Sequence, residues 1–106
     1  MTGLATQREY QVRDWYRAQG WIAFRAPASL GVADVIALKA GEAPQLVEVK
    51  SSPYPFEHFR PADRARLIEA AEIAGAHPLL VHWPKGGHIR FVHPPDWPTI
   101  GGETTP

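Results

Sequence analysis

The runs Ala33–Lys39, ADVIALK, and Gln45–Lys50, QLVEVK, are β-rich and are separated only by AGEAP at 40–44. Gly41 and Pro44 are turn formers, so the three pieces read as a β-hairpin. Strand side chains alternate between faces. Leu46, Glu48 and Lys50 therefore share one face of the second strand, and Asp34, Ile36 and Leu38 share one face of the first. A five-residue turn pairs Lys39 with Gln45. It sets Leu38 against Leu46, Ile36 against Glu48 and Asp34 against Lys50, with Asp34 diagonal to Glu48 at about 7–8 Å. Two carboxylates and an ammonium meet at the open end of the hairpin.

A carboxylate pair set against a sheet repels itself and persists when a cation sits between the groups. Two carboxylates with water and phosphate oxygens suit Mg²⁺, and the lysine beside them can orient or help deprotonate a water. That constellation performs metal-assisted hydrolysis of a phosphodiester. The bland alternative is that Glu48 and Lys50 are ordinary solvent-facing strand residues. Against it, both interrupt the apolar run LVEVK and Asp34 interrupts GVADVIAL. Matched interruptions on paired strands favour a site.

Outward from the hairpin, residues 6–19 form an amphipathic helix with Val12, Trp15, Tyr16 and Gln19 on one face and Gly20 as its stop. Thr6 and Glu9 have capping-box spacing. Residues 21–26 are a short strand and 27–31 a loop. Residues 51–60 hold two prolines and three aromatics and form an irregular connection. Pro61 opens a second helix over 61–74, with Leu67, Ile68, Ala71 and Ala74 on its apolar face and Gly75 after it. Strands at 79–83 and 88–92 flank a Lys85-Gly86-Gly87 turn. The order αβββαββ contains one βαβ crossover, giving an α/β mixed β-sheet flanked by helices. Residues 1–93 are the expected single domain, and 94–106 a Pro/Gly-rich C-terminal tail with little order.

The 106 residues carry 11 Lys+Arg against 11 Asp+Glu, so the total charge excludes a strongly basic nucleic-acid binder but not a local patch. Arginine outnumbers lysine eight to three, which suits bidentate phosphate contacts or simply a GC-rich genome. Cysteine is absent, which removes disulfides, thiolate metal sites and thiol nucleophiles. His77, His82, His88 and His93 lack metal-ligand spacing and read as structural. No run of about 18 apolar residues spans a membrane and no signal-peptide pattern opens the chain, so a cytoplasmic location is expected, in an archaeal or bacterial cell or in the host of a phage.

Glu9 is a third candidate acid. Helical spacing aligns it with Val12 and Tyr16, toward the core face. Two roles stay open to it, a site carboxylate and the partner of Thr6 in a cap. The strings Gly20–Ser29 (GWIAFRAPAS), Ala33–Lys39 and Val47–Ser51 (VEVKS) resemble the archaeal-type Holliday junction resolvases of the PD-(D/E)xK nuclease superfamily. The likeness runs from about Glu9 to about Val92. It implies a restriction-endonuclease-like fold and a homodimer that nicks opposing strands of a four-way DNA junction with Mg²⁺ or Mn²⁺. It also implies Asp34, Glu48 and the Val49 carbonyl as metal ligands, Glu9 as the helix glutamate and Lys50 as the catalytic lysine. Arg25 and Ser29 would lie near the scissile phosphate. Arg8 and Arg13 flank Tyr10, where the family often has arginine, and with Arg60 they are further candidates for DNA contact. Without the resemblance, Arg25 reads as a strand-end residue paired with a carboxylate and Ser29 as a turn residue. The other activities considered are cutting of flaps, forks or duplex DNA, and junction binding without catalysis. Tyr54, Phe56, Phe59, Trp83 and Phe91 are candidates for a dimer interface or for the core.

Overall fold

The computed structural model describes residues 3–26 and 32–98. Helix α1, Leu4–Ala18, leads into strand β1, Ile22–Arg25. Strands β2, Val35–Leu38, and β3, Gln45–Lys50, follow. Helix α2, Pro61–Ala74, then crosses to β4, His77–His82, and the chain returns as β5, Arg90–Val92. The five strands lie in sequence order in one sheet, antiparallel except for the parallel pair β3–β4. This is the α/β architecture with order αβββαββ expected from the periodicities. Helix α2 spans the anticipated residues because Pro61 starts it and Gly75, at φ 65°, stops it in the left-handed region.

The alternation of β3 and β4 builds both halves of the core. Val47, Val49, Leu79 and Val81 pack with Val12 and Tyr16 of α1, and Ala23, Val35 and Ala37 complete that layer. On the other face, Leu46 and Leu80 pack with Phe59 and with Leu67 and Ala71 of α2. Glu48 and Lys50 share this second face with Leu46. They lie toward the C-terminal end of β3, beside Leu80 and His82 of β4.

The hairpin register differs from the expected one by two residues. Ala37 pairs with Gln45, Ile36 with Leu46 and Val35 with Val47. The turn closes between the Lys39 carbonyl and the Glu42 amide at 3.1 Å. Pro44 then cannot donate to a partner in β2, so ladder pairing begins only at Gln45. A two-residue slip leaves every side chain on its face. One step beyond the last pair it sets Asp34 against Glu48, not against Lys50.

Three further expectations are corrected. The Thr6–Glu9 capping box is absent: α1 begins at Leu4 after Gly3, which gives no side-chain cap. Arg64 is buried beside Leu67 and Ala71, where Ala74 was expected to close the face. Its Nε donates to the Phe59 carbonyl at 2.7 Å and a terminal nitrogen to the Pro98 carbonyl at 2.9 Å. The guanidinium lies 5.2 Å from the Phe56 ring centroid, so its cost of burial is offset by hydrogen bonds and aromatic contact. Residues 94–98, expected to trail away, are packed instead. Pro94–Asp96 forms a 3-10 turn, and Trp97 stands edge-on to Phe59 with ring centroids 5.0 Å apart.

Candidate active site

The site lies just before the start of β2, where β3 continues past it. The Asp34 amide still donates to the Val47 carbonyl at 2.8 Å, but the next β3 donor on that side, the Val49 amide, gives its hydrogen bond to the Asp34 carboxylate at 2.8 Å. The carboxylate thus takes the place of a strand neighbour. Glu48 lies beside it, and Lys50 Nζ is 3.4 Å from Glu48 Oε2. Asp34, Glu48, Val49 and Lys50 line an open pocket of about 300 Å³ together with Glu9, Ser51, Ser52 and His58.

Burial pushes the Asp34 carboxyl up, and the Val49 amide partly counters this. Glu48 is pushed up to about 7, first by burial and then by the charge of Asp34, with Lys50 opposing. Burial of two adjacent carboxyls thus favours their keeping a proton between them toward neutral pH. With both ionised, two negative charges face the single positive charge of Lys50. The cluster is then one charge short of neutrality, and its donors are oxygens. Such a set fits a hard divalent cation, which would take the place of the shared proton.

Glu9 lines the pocket but faces another partner. Arg25 donates to its Oε1 through Nε at 3.0 Å and through a terminal nitrogen at 2.8 Å. Among the described residues, no group of three or more His, Cys, Asp or Glu side chains is placed to hold a metal. The structure therefore gathers Asp34, Glu48, Val49 and Lys50, and keeps Glu9 one contact away.

The arginines disperse. Arg8 donates to the carbonyls of Trp83 and Pro84 at 2.9 and 2.8 Å and covers the Trp83 ring, tying α1 to the end of β4. Arg13 pairs with Asp14 at 2.8 Å. Arg60 is exposed at the start of α2, its amide bonded to Asp63 at 3.3 Å. Ser29 lies outside the described residues. The sequence reading missed Ser51, Ser52 and His58 as pocket residues, and only their nearness to Glu48 and Lys50 in the chain could have signalled the two serines. It also missed His82 as a support. Beside Lys50 in the parallel register, His82 donates from Nε2 to the Ser52 carbonyl at 2.7 Å and fixes the turn that leaves the site. Ser52 Oγ is buried without a hydrogen-bond partner.

A five-stranded mixed sheet with flanking helices, carrying paired carboxyls and a lysine at the end of its central hairpin, is the restriction-endonuclease-like α/β fold. The model of the archaeal Holliday junction resolvase (Hjc) family matches residues 2–100, and the chain belongs to that family of nucleases. Among solved structures, the chain is similar to Archaeoglobus fulgidus Hjc, a Holliday junction resolvase from an archaeal hyperthermophile. The TM-score is 0.69 at 18% identity, over 86% of this chain and 73% of that one, a likeness that speaks for the fold. No curated protein matches the chain.

Proposed function

We propose that this chain is a divalent-metal-dependent endonuclease that acts as a homodimer and nicks opposing strands of four-way DNA junctions. The observation that carries the proposal is the partly buried Asp34–Glu48 pair, aligned by the Val49 amide and flanked by Lys50. Asp34, Glu48 and the Val49 carbonyl would hold Mg²⁺ or Mn²⁺, with Glu9 within the same pocket. Once bound, such an ion polarises a phosphoryl oxygen and makes water a nucleophile near neutral pH. Lys50 orients the attacking water, whose oxygen bonds to phosphorus as the opposite P–O bond breaks. The water gives up a proton to solvent and the departing ester oxygen takes one. Arg25, Ser29, Arg13 and Arg60 are the proposed phosphate contacts. Arg8 is set apart because its donors are spent on backbone carbonyls. A junction-processing enzyme of this kind works in the cytoplasm, and no helix among the described residues is long and apolar enough to cross a membrane.

Phosphate contacts carry no sequence information, so junction selectivity falls to geometry. Two sites at fixed spacing on a two-fold dimer supply it. Of the aromatics, Phe59 is core and Phe56, Trp83 and Phe91 pack against the core, which leaves Tyr54, 67% exposed, as the one still open to a partner. The outer face of β1 and β2 is a better candidate. Ile22, paired across the ladder with Leu38, is 69% exposed, and Phe24 and Leu38 are also exposed on the side that α2 leaves open. Replacing both Ile22 and Phe24 with Glu is expected to halve the mass measured by light scattering, to leave the melting temperature within a few degrees, and to reduce paired nicks to single ones. An unchanged mass would place the interface elsewhere.

Incubating the protein with Mg²⁺ and either a synthetic four-way junction, a flap or linear duplex tests the activity. Symmetric cutting of the junction alone is expected. Equal cutting of linear duplex would instead indicate a general nuclease, and junction binding without cutting would indicate a binding module.

A further inference from the structure

Glu9 lines the wall of the acidic pocket, but its carboxylate is bonded to Arg25. Its charge is felt at Asp34, and burial leaves it about one-fifth exposed. What holds it back is the two-pronged grip of Arg25. Arg25 is itself positioned by Tyr10, whose ring centroid lies 4.4 Å from the guanidinium carbon. Arg13 sits against the same ring at 4.9 Å. Tyr10 is 41% exposed, so this stack faces solvent, and a strand of DNA can reach it. A guanidinium fork fits a phosphate as well as a carboxylate. Arg25 thus has two equivalent kinds of partner, of which only the internal one is available without substrate.

We propose that the Glu9–Arg25 pair is a substrate-operated latch seated on Tyr10: a DNA phosphodiester draws Arg25 away and frees Glu9 for the divalent ion at Asp34 and Glu48. The inference rests on the metal site proposed above. It assigns Tyr10 as a positioning residue that acts through Arg25. Exchange of one anion for another at Arg25 is nearly balanced, and the release of a third carboxylate to the cation tips it. Metal and DNA binding are therefore coupled, each tightening the other by the same factor. Before substrate arrives, the metal shell lacks its third acid and the site is held incomplete.

Mn²⁺ alone, titrated calorimetrically into the DNA-free protein, reads the latch without activity. Arg25→Met is expected to tighten Mn²⁺ binding about tenfold in the wild-type background and less than about twofold in a Glu9→Gln background. Tyr10→Leu should give a smaller gain in the same direction, and Tyr10→Phe, which keeps the ring, should restore wild-type affinity. Equal gains from Arg25→Met in both backgrounds would mean that removing a positive charge helps cations generally, and would overturn the latch. No gain in either background would overturn it as well, while Mn²⁺ binding that still depends on Asp34 would leave the metal site standing. Binding indifferent to Asp34→Asn would bring down both the site and the latch.

Discussion

Glu48→Gln and Asp34→Asn are each expected to lower junction cutting by about a thousandfold or more, because each removes a negative charge that the proposed divalent ion would need and changes little shape. The same substitutions are expected to stabilise the metal-free fold at alkaline pH. Glu48 binds its proton more tightly in the folded protein, at about 7, than in the unfolded chain, near its ordinary 4.5. A raised folded pKa contributes stability that is fully present below 4.5 and is lost as pH climbs through 7. The wild-type protein should lose about 2–3 kcal/mol from this site between pH 4.5 and 8. Glu48→Gln stays neutral throughout, so it should match wild type near pH 4.5 and melt higher at pH 8. Mg²⁺ should raise the wild-type melting temperature at pH 8 and leave that of Glu48→Gln unchanged. Thermal melts at the two pH values check each statement, and a variant less stable than wild type at pH 8 would contradict the account of a strained carboxyl pair.

Phe59→Ala is the substitution expected to harm the fold most, by about 3–5 kcal/mol. Phe59 is 1% exposed and joins three parts of the chain: Phe56 of the irregular connection, Trp97 after β5, and, through its carbonyl, Arg64 of α2. Losing the ring opens a cavity and loosens Trp97. Arg64→Met tests the polar half of this cluster. It keeps an unbranched apolar stem but leaves the Phe59 and Pro98 carbonyls without their donor, and should cost about 1–3 kcal/mol. Urea unfolding measures both. A cost below about 1 kcal/mol for Phe59→Ala would mean that the segment after His93 is not anchored as described.

The particular residues explain what the sequence revealed. Helix α2 was legible to the residue because proline and glycine fix its ends by sterics alone. The hairpin and its inward acids were legible because alternation survives an error in register, provided the slip is even. The slip itself was not, since it follows from Pro44 lacking a donor inside a turn whose length composition does not set. Glu9 had two local readings, cap and site acid. Neither anticipated its pairing with Arg25, which depends on how α1 lies over β1. The burial of Arg64 was not foreseen, and Trp97 was placed in a tail with little order, for the same reason: a polar head in a helix and an aromatic in a proline-rich stretch become packed only through partners distant in the chain. His58 reached the pocket by the path of the 51–60 connection, for which no periodicity exists.

The central claim is that Asp34 and Glu48 hold a divalent ion between them. A crystal soaked in Mn²⁺ and measured at the manganese absorption edge tests it most directly. The account predicts one anomalous peak within about 2.2 Å of oxygens from both carboxylates, with Lys50 beside it. No peak between the two carboxyls, with any manganese elsewhere, would contradict it.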